Sequence, residues 1–144
     1  MTQLIFSALP QPRRPIVSVP SMVSLSQCVD MMTKQNIGAL LVRDEETIVG
    51  ILAERDIVRA CLRPDFDLYK TTALDVVCTE FSVLNSNDPL EEAMEVITNT
   101  KRRHVLVAEE GEVVAMLSIG DILFYVLEDK TRVIEQLENY IHTY

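Results

Sequence analysis

The chain has 144 residues, enough for one compact domain or for two small lobes that share a core. Its 22 acidic and 13 basic residues give a net charge of −9, and such a surface repels the phosphate backbones of nucleic acids. Hydrophobic residues make up 48% of the sequence, but no run approaches the ~18 apolar residues that a membrane helix needs. We therefore expect a globular protein that binds neither nucleic acid nor membrane.

Residues 1–15 form an N-terminal extension to which the sequence assigns no role. The apolar run Leu4–Phe6 is soon followed by three prolines and by the pair Arg13-Arg14. This run is too short for the core of a signal peptide, and the prolines interrupt a helix. Three cysteines, Cys28, Cys61 and Cys78, have apolar neighbours and no CxxC spacing, which predicts free thiols in a reducing compartment. Cytoplasm is the predicted location.

The next segment, residues 16–63, contains the pattern of a small β-α-β-β-α unit. Its first helix opens with Ser24 and Gln27 at the spacing of a capping box. Two apolar runs then follow, joined by an acidic turn, and their length favours strands that are buried on nearly both faces. The predicted elements are a strand at Ile16–Val19, a helix from Ser24, strands at Gly38–Arg43 and Ile48–Leu52, and a helix from about Glu54.

A linker over residues 64–79 leads to a second unit over residues 80–127. The linker begins with a polar loop and continues with a possible short helix at Thr72–Val77. The second unit repeats the element order of the first. Its predicted elements are a strand at Phe81–Leu84, a helix opened by Asp88 and Pro89, strands at His104–Ala108 and Val113–Leu117, and a helix from about Ile119.

The two units are copies of each other at an offset of 65 residues. The segment Gly50–Asp56 resembles Ala115–Asp121, and the apolar positions on both sides stay matched without a gap. A unit of about 60 residues buries too little surface to be stable alone, so the two copies should pack face to face. The fold class predicted is α+β, with β-α-β-β-α twice.

The last helix continues beyond the repeat, over residues 128–144. Apolar positions follow alternating steps of four and three residues, which is the pattern of a seam for another helix. The seam can pack against its own domain or against a second copy of the chain, and the second alternative, a homodimer, is the one we favour. The seam positions are Leu123, Leu127, Lys130, Ile134, Leu137, Ile141 and Tyr144.

The corner between the last strand and this helix is a candidate ligand site. The N–H groups at a helix N-terminus suit a phosphate, and the hydroxyl of Ser118 can add a hydrogen bond. The carboxylate of Asp121 would repel a phosphate but suits the 2′,3′-diol of a ribose. The alternative is that Ser118 and Asp121 only cap the helix, since S-x-x-D is a weak motif.

Three observations favour a ligand. Asp56 occupies the position of Asp121 in the first unit, with Arg55 beside it. The densest basic run of this acidic chain, Lys101-Arg102-Arg103-His104, immediately precedes a predicted buried strand and can supply cations for a phosphate, although such runs are usually solvated. The counterpart of Arg103 is Gly38, within Ile37-Gly38-Ala39, where small residues leave room for a planar base.

The segments NIGALLV…VGILAERDIVR and KRRHVLVAEEGEVVAMLSIGDIL resemble the two halves of a CBS-motif pair, or Bateman module, over about residues 16–127. The resemblance implies pseudo-twofold packing of the two motifs and two clefts that take AMP, ADP, ATP, NAD(H) or S-adenosylmethionine. It implies ribose and phosphate contacts at Ser118, Asp121 and Asp56. The full set of expected contacts is Asp121, Ser118, Asp56, Arg55, Arg103, His104, Arg102, Ile37, Gly38, Ala39 and Val17.

The chain departs from the family pattern in both motifs. Ala53 stands where the family usually has Ser or Thr, and Ala115 replaces the usual glycine that Gly50 retains. Leu41 and Leu106 stand where many relatives have proline. We therefore expect the Asp121 cleft to be the better equipped, since a missing hydroxyl is worth about 0.5–1.5 kcal/mol.

These features favour a regulatory sensor of an adenine nucleotide, in the manner of cellular energy sensing, that acts on a separate effector protein. The alternatives are a ligand-free homodimeric scaffold and a regulator that binds S-adenosylmethionine. An enzyme is not expected, because the sequence holds no GxxxxGK or GxSxG motif. No metal site is expected either, because His104 and His142 lack metal-ligand spacing with the cysteines.

Overall fold

A computed structural model describes residues 3–143, which divide into two compact units. The first unit is Pro15–Phe81. The second unit combines the described residues up to Arg14 with those from Ser82 onward. Each unit holds one three-stranded sheet and helices, so the predicted α+β class with two copies of one motif and a long C-terminal helix is confirmed.

The first unit contains a sheet in the order β1-β2-β3, with β1 parallel and β3 antiparallel to β2. The hydroxyl of Ser24 accepts the N–H of Gln27 at 3.3 Å and so caps the first helix of this unit as predicted. A core of aliphatic side chains, among them Leu25, Leu40 and Leu52, lies under the sheet. The elements are β1 Ser18–Val19, α2 Leu25–Gln35, β2 Ala39–Asp44, β3 Thr47–Ala53, α3 Glu54–Ala60 and α4 Ala73–Val76.

The second unit repeats this arrangement with a sheet in the order β4-β5-β6. Its core includes Leu90, Val105 and Leu117, together with Ile5 and Leu9 from the N-terminal segment. The elements are α1 Ile5–Ala8, β4 Val83–Asn85, α5 Leu90–Thr100, β5 His104–Glu109, β6 Glu112–Ser118 and α6 Ile119–Thr143.

The repeat at an offset of 65 extends to backbone details. The helices α2 and α5 both end at a residue in the left-handed conformation, Asn36 and Lys101. Glu45 and Glu110 have positive φ at the two strand turns. Both hairpins also shift register at the equivalent place, between Val42 and Arg43 and between Val107 and Ala108. The two units therefore share one backbone design.

The N-terminal segment belongs to the second unit, which sequence analysis did not foresee. The N–H groups of Ile5 and Phe6 donate to the carbonyls of Asp88 and Ser86, both at 2.9 Å. In the first unit, Ala73 and Leu74 donate to Val23 and Ser21 in the same way. Helix α1 is thus the counterpart of α4, at an offset of 68 residues instead of 65, and neither segment is a passive linker.

A close backbone approach explains why position 50 is glycine while its counterpart, position 115, is alanine. Ile51 and Cys78 exchange two backbone hydrogen bonds of 3.1 and 3.0 Å. A Cβ on Gly50 would lie 2.1 Å from the carbonyl oxygen of Cys78, a separation that no side chain can occupy. The counterpart of Cys78 is Pro10, which has no N–H for such an exchange, so Ala115 is accommodated.

Several bounds differ from the predicted ones. The two edge strands are shorter, β1 starting at Ser18 and β4 at Val83, because only these residues pair with the central strands. The predicted free thiols are confirmed, but Cys61 is exposed after the end of α3. No helix within residues 3–143 is long and apolar enough to cross a membrane.

Helix α6 carries the predicted apolar seam on an exposed surface. Its first turns contact the second unit through Ile122, which is 4% exposed. Beyond residue 130, every residue whose side chain is described is exposed. The exposed seam residues are Leu123, Leu127, Ile134, Leu137 and Ile141, flanked by Phe124, Val133 and Tyr140. Tyr144, the last predicted seam position, lies outside the described residues.

Candidate functional site

The corner between β6 and α6 is built from reciprocal hydrogen bonds between Ser118 and Asp121. The carboxylate of Asp121 accepts the N–H of Ser118 at 2.9 Å, and the hydroxyl of Ser118 accepts the N–H of Asp121 at 3.1 Å. Both residues therefore cap the helix, as the alternative interpretation of the motif held. The cap leaves chemistry to spare, because a hydroxyl that accepts one bond still has a proton to donate.

The basic run lies directly beside this corner. His104 opposes Ser118 in the register of β5 and β6, and the carbonyl of Arg103 accepts the N–H of Ile119 at 2.9 Å. Arg103 is exposed, whereas Arg102 and His104 are half-buried. Sequence reasoning thus placed these cations correctly next to Ser118 and Asp121 within the second unit.

Arg14 is the residue of this corner that sequence reasoning missed. One guanidinium nitrogen of Arg14, Nη2, lies 2.7 Å from each carboxylate oxygen of Asp121. The Asp121 side chain is 12% exposed and that of Arg14 is 55% exposed, so the guanidinium covers the carboxylate from the solvent side. The corner therefore combines a serine hydroxyl, a carboxylate and an arginine on one helix tip.

Arg14 is held in place by the segment that precedes it. The guanidinium of Arg13 pairs with the carboxylate of Glu109 and lies 5.4 Å from the centre of the Phe6 ring. Both contacts tie the chain to the second unit just before Arg14. The Arg13 guanidinium, with help from the hydroxyl of Ser86, also lowers the pKa of Glu109. A charged pair at this point favours one path of the backbone next to the corner.

The first unit has an equivalent corner with fewer polar groups. The carboxylate of Asp56 accepts the N–H of Ala53 at 2.8 Å, and the N–H of Glu54 donates to the carbonyl of Gly38 at 3.1 Å. Alanine cannot return a side-chain hydrogen bond, so half of the reciprocal cap is missing. Arg55 and Asp56 are both half-buried there.

The remaining predicted contacts lie along the strands of the first unit. Ala39 pairs with Ala53 in the sheet, and it is 6% exposed. Ile37 and Gly38 are half-buried just before β2. The carbonyl of Val17 accepts the N–H of Leu41 at 3.0 Å, next to β1. The structure thus gathers the predicted residues into two corners, one in each unit, and the second-unit corner holds the larger set of polar groups.

These corners favour an organic ligand over a metal ion. Among the described residues, no cluster of three or more His, Cys, Asp or Glu side chains could hold a metal. The second-unit corner instead presents donors for an anion from Arg14, Ser118 and the basic run, and acceptors for hydroxyl groups from Asp121. A molecule that carries both a phosphate and a sugar diol matches this set.

Comparison with known proteins identifies the repeated unit. A family model for the CBS domain matches the chain twice, over residues 7–63 and 73–128. The mitochondrial CBS domain-containing protein CBSX3 of Arabidopsis thaliana is 27% identical over 118 residues, which cover 78% of this chain and 57% of the relative. The chain therefore spans little more than half of that relative. CBS domains are generally regulatory and not catalytic.

Solved structures show the same fold. A CBS-domain protein from Burkholderia ambifaria is 28% identical, with a TM-score of 0.81 over 90% of this chain and 96% of that chain. A CBS domain protein from Pyrobaculum aerophilum, solved in complex with AMP, is 29% identical, with a TM-score of 0.74 over 90% of this chain and 99% of that chain. Both likenesses cover the pair of units and not one unit alone.

Proposed function

Since the chain belongs to the CBS-domain family, we propose that it is a regulatory module that binds an adenine nucleotide at the corner around Asp121. AMP, ADP, ATP and NAD(H) are the candidate ligands, and the bound state would be passed to a separate effector protein. The observation that supports this most is the grouping of Ser118, Asp121 and Arg14 on one helix tip, beside the basic run.

Each part of a nucleotide has a matching group at this corner. The phosphate would receive the Ser118 hydroxyl and the N–H groups of the first turn of α6, which have no partner within the helix. Gly120 in that turn is exposed, and no side chain there blocks a phosphate. The ribose diol would donate to Asp121. The relative solved with AMP is the precedent for a ligand of this class.

The Asp56 corner is proposed as a second and weaker site. It retains the carboxylate but lacks the serine hydroxyl, and Arg55 is its nearest cation in sequence. The half-buried residues Val17, Ile37 and Gly38 would contact the base of the nucleotide. A single lost hydrogen bond lowers affinity by about tenfold at most, so this site would fill after the Asp121 site.

We also propose that the protein is a homodimer through the apolar face of α6. The face repeats every three and four residues, which is the spacing that a second identical helix matches in an isologous pair. Five seam residues on this face are between 54% and 69% exposed in the single chain. The same face is the one observation that favours the alternative function of a ligand-free scaffold.

The role of Asp121 is tested by isothermal titration of AMP and 2′-deoxy-AMP into the protein and its Asp121→Ala variant. We expect the wild-type protein to prefer the ribonucleotide and the variant to lose both that preference and about 1–3 kcal/mol of binding free energy, since the diol donates to a charged acceptor. The control is Asp75→Ala, which removes the equivalent helix cap at Thr72, where the bond is 3.0 Å. An unchanged preference in Asp121→Ala would exclude this carboxylate as the ribose contact.

A further inference from the structure

The N-terminal segment places a guanidinium on the carboxylate that the proposed ribose diol requires. Asp121 accepts the N–H of Ser118 and two contacts from Arg14. A carboxylate offers about four acceptor positions, so about one remains for a diol that has two donors. A ribose therefore cannot take both of its hydrogen bonds until Arg14 gives up at least one of its own.

We propose that Arg14 determines ligand selectivity at this corner by moving from Asp121 to the phosphate of the bound nucleotide. This inference rests on the proposed nucleotide function and adds a residue to it. Guanidinium binds phosphate with two parallel N–H donors, and a phosphate carries more charge than the carboxylate that it replaces. The exchange leaves no charge unpaired, because the ribose hydroxyls take the place of Arg14 on Asp121.

The geometry of the segment fits a side chain that moves on a fixed backbone. Ile5 and Leu9 are buried in the core of the second unit, and Arg13 is tied to Glu109. Arg14 itself follows these anchors with 55% of its side chain exposed. The long arginine side chain can therefore change partners without moving the segment that carries it.

The first unit provides an internal comparison. Its copy of the N-terminal segment, at the offset of 68, has Ser82 in the position of Arg14. The exchange is therefore specific to the Asp121 corner. It would make this corner favour a ligand with a phosphate over the same ligand without one, because only a phosphate compensates Arg14 for the lost carboxylate.

The test compares AMP with adenosine, which lacks the phosphate, by titration of wild-type protein, Arg14→Ala and Arg14→Lys. We expect Arg14→Ala to weaken AMP by about ten- to a hundredfold, as for the loss of a charge-assisted contact, and to leave adenosine unchanged or bound more tightly. Arg14→Lys retains the charge without the paired donors and should fall between the two. The control Arg132→Ala removes the same charge from an exposed position of α6 and should change neither ligand.

The outcomes separate this inference from the proposed function. If Arg14→Ala weakens AMP and adenosine equally, or changes neither, or strengthens AMP, the exchange by Arg14 is wrong while the nucleotide site stands. If wild-type protein binds neither AMP nor adenosine, the proposed function fails and the exchange fails with it.

Discussion

At the scale of single residues, the two units share a serine–carboxylate pair that fastens the loop before the first helix to the end of the central strand. Ser21 donates to Asp44 through its N–H at 2.9 Å and through its hydroxyl at 2.6 Å. At the offset of 65, the hydroxyl of Ser86 donates to Glu109 at 3.0 Å. Both serines are buried, at 5% and 3% exposure, so these are the groups through which pH acts on the packing of each unit.

Asp44 should make the stability of the first unit depend on pH. The hydroxyl and the N–H of Ser21 lower the pKa of Asp44, so its ionised form stabilises the fold above about pH 4 and this contribution is lost as the pH falls through the lower folded pKa. Ser21→Ala should therefore lower the free energy of unfolding at pH 6, and its difference from wild type should shrink towards about pH 3. Urea denaturation across this range measures both quantities.

Ser86→Ala is the matched control for this prediction. Arg13 is the main cause of the lowered pKa of Glu109, so the carboxylate keeps its strongest partner when Ser86 is removed. The difference between Ser86→Ala and wild type should depend less on pH than that of Ser21→Ala. A difference for Ser21→Ala that stays constant from pH 6 to about pH 3 would contradict the role assigned to Asp44.

At the scale of elements, the helices and central strands of both units could be predicted because their signals are local. Apolar periodicity, the cap at Ser24 and the acidic turns all lie within a few residues of the structure they specify. Helix α1 was missed because its four residues are held by backbone contacts to residues 86–90, far along the chain. Its sequence also follows a different offset from the rest of the repeat, so comparison of the two halves at 65 residues does not align it with α4.

Helix α6 is the element whose surface requires a partner in our account. Glutamate at Ile134 and Leu137 would place two charges in the proposed dimer seam, at positions that are 54% and 58% exposed in the single chain. We expect wild-type protein to sediment as a dimer and the double variant Ile134→Glu, Leu137→Glu to sediment as a monomer, since a buried unpaired charge costs several kcal/mol. Sedimentation velocity over a range of concentrations measures the difference.

Arg132→Glu provides the control for this experiment. It changes the net charge by the same two units as the double variant but lies on the outer side of the helix in the heptad pattern. It should therefore remain a dimer. A wild-type protein that sediments as a monomer at all concentrations, or a double variant that remains a dimer, would show that the seam is not the interface.

At the scale of the whole molecule, an acidic chain concentrates cations and a carboxylate at one corner of the second unit. Ser118, Asp121 and the basic run could be found from the sequence because a strand turn brings near neighbours together. Arg14 could not, because it is 107 residues from Asp121 and its position depends on the packing of the N-terminal segment. The visible signal was weak, a pair of arginines between prolines in a chain of net charge −9.

Binding of an adenosine ligand by the intact protein is the most direct test of the account. The melting temperature is measured with AMP, ADP, ATP, NADH and S-adenosylmethionine at millimolar concentration. A ligand at 100 times its Kd stabilises the folded state by about 2.7 kcal/mol, so at least one phosphate-bearing ligand should raise the melting temperature by several degrees. A rise with S-adenosylmethionine alone would replace the nucleotide by that alternative. A melting temperature unmoved by all five would contradict ligand binding and leave the scaffold function.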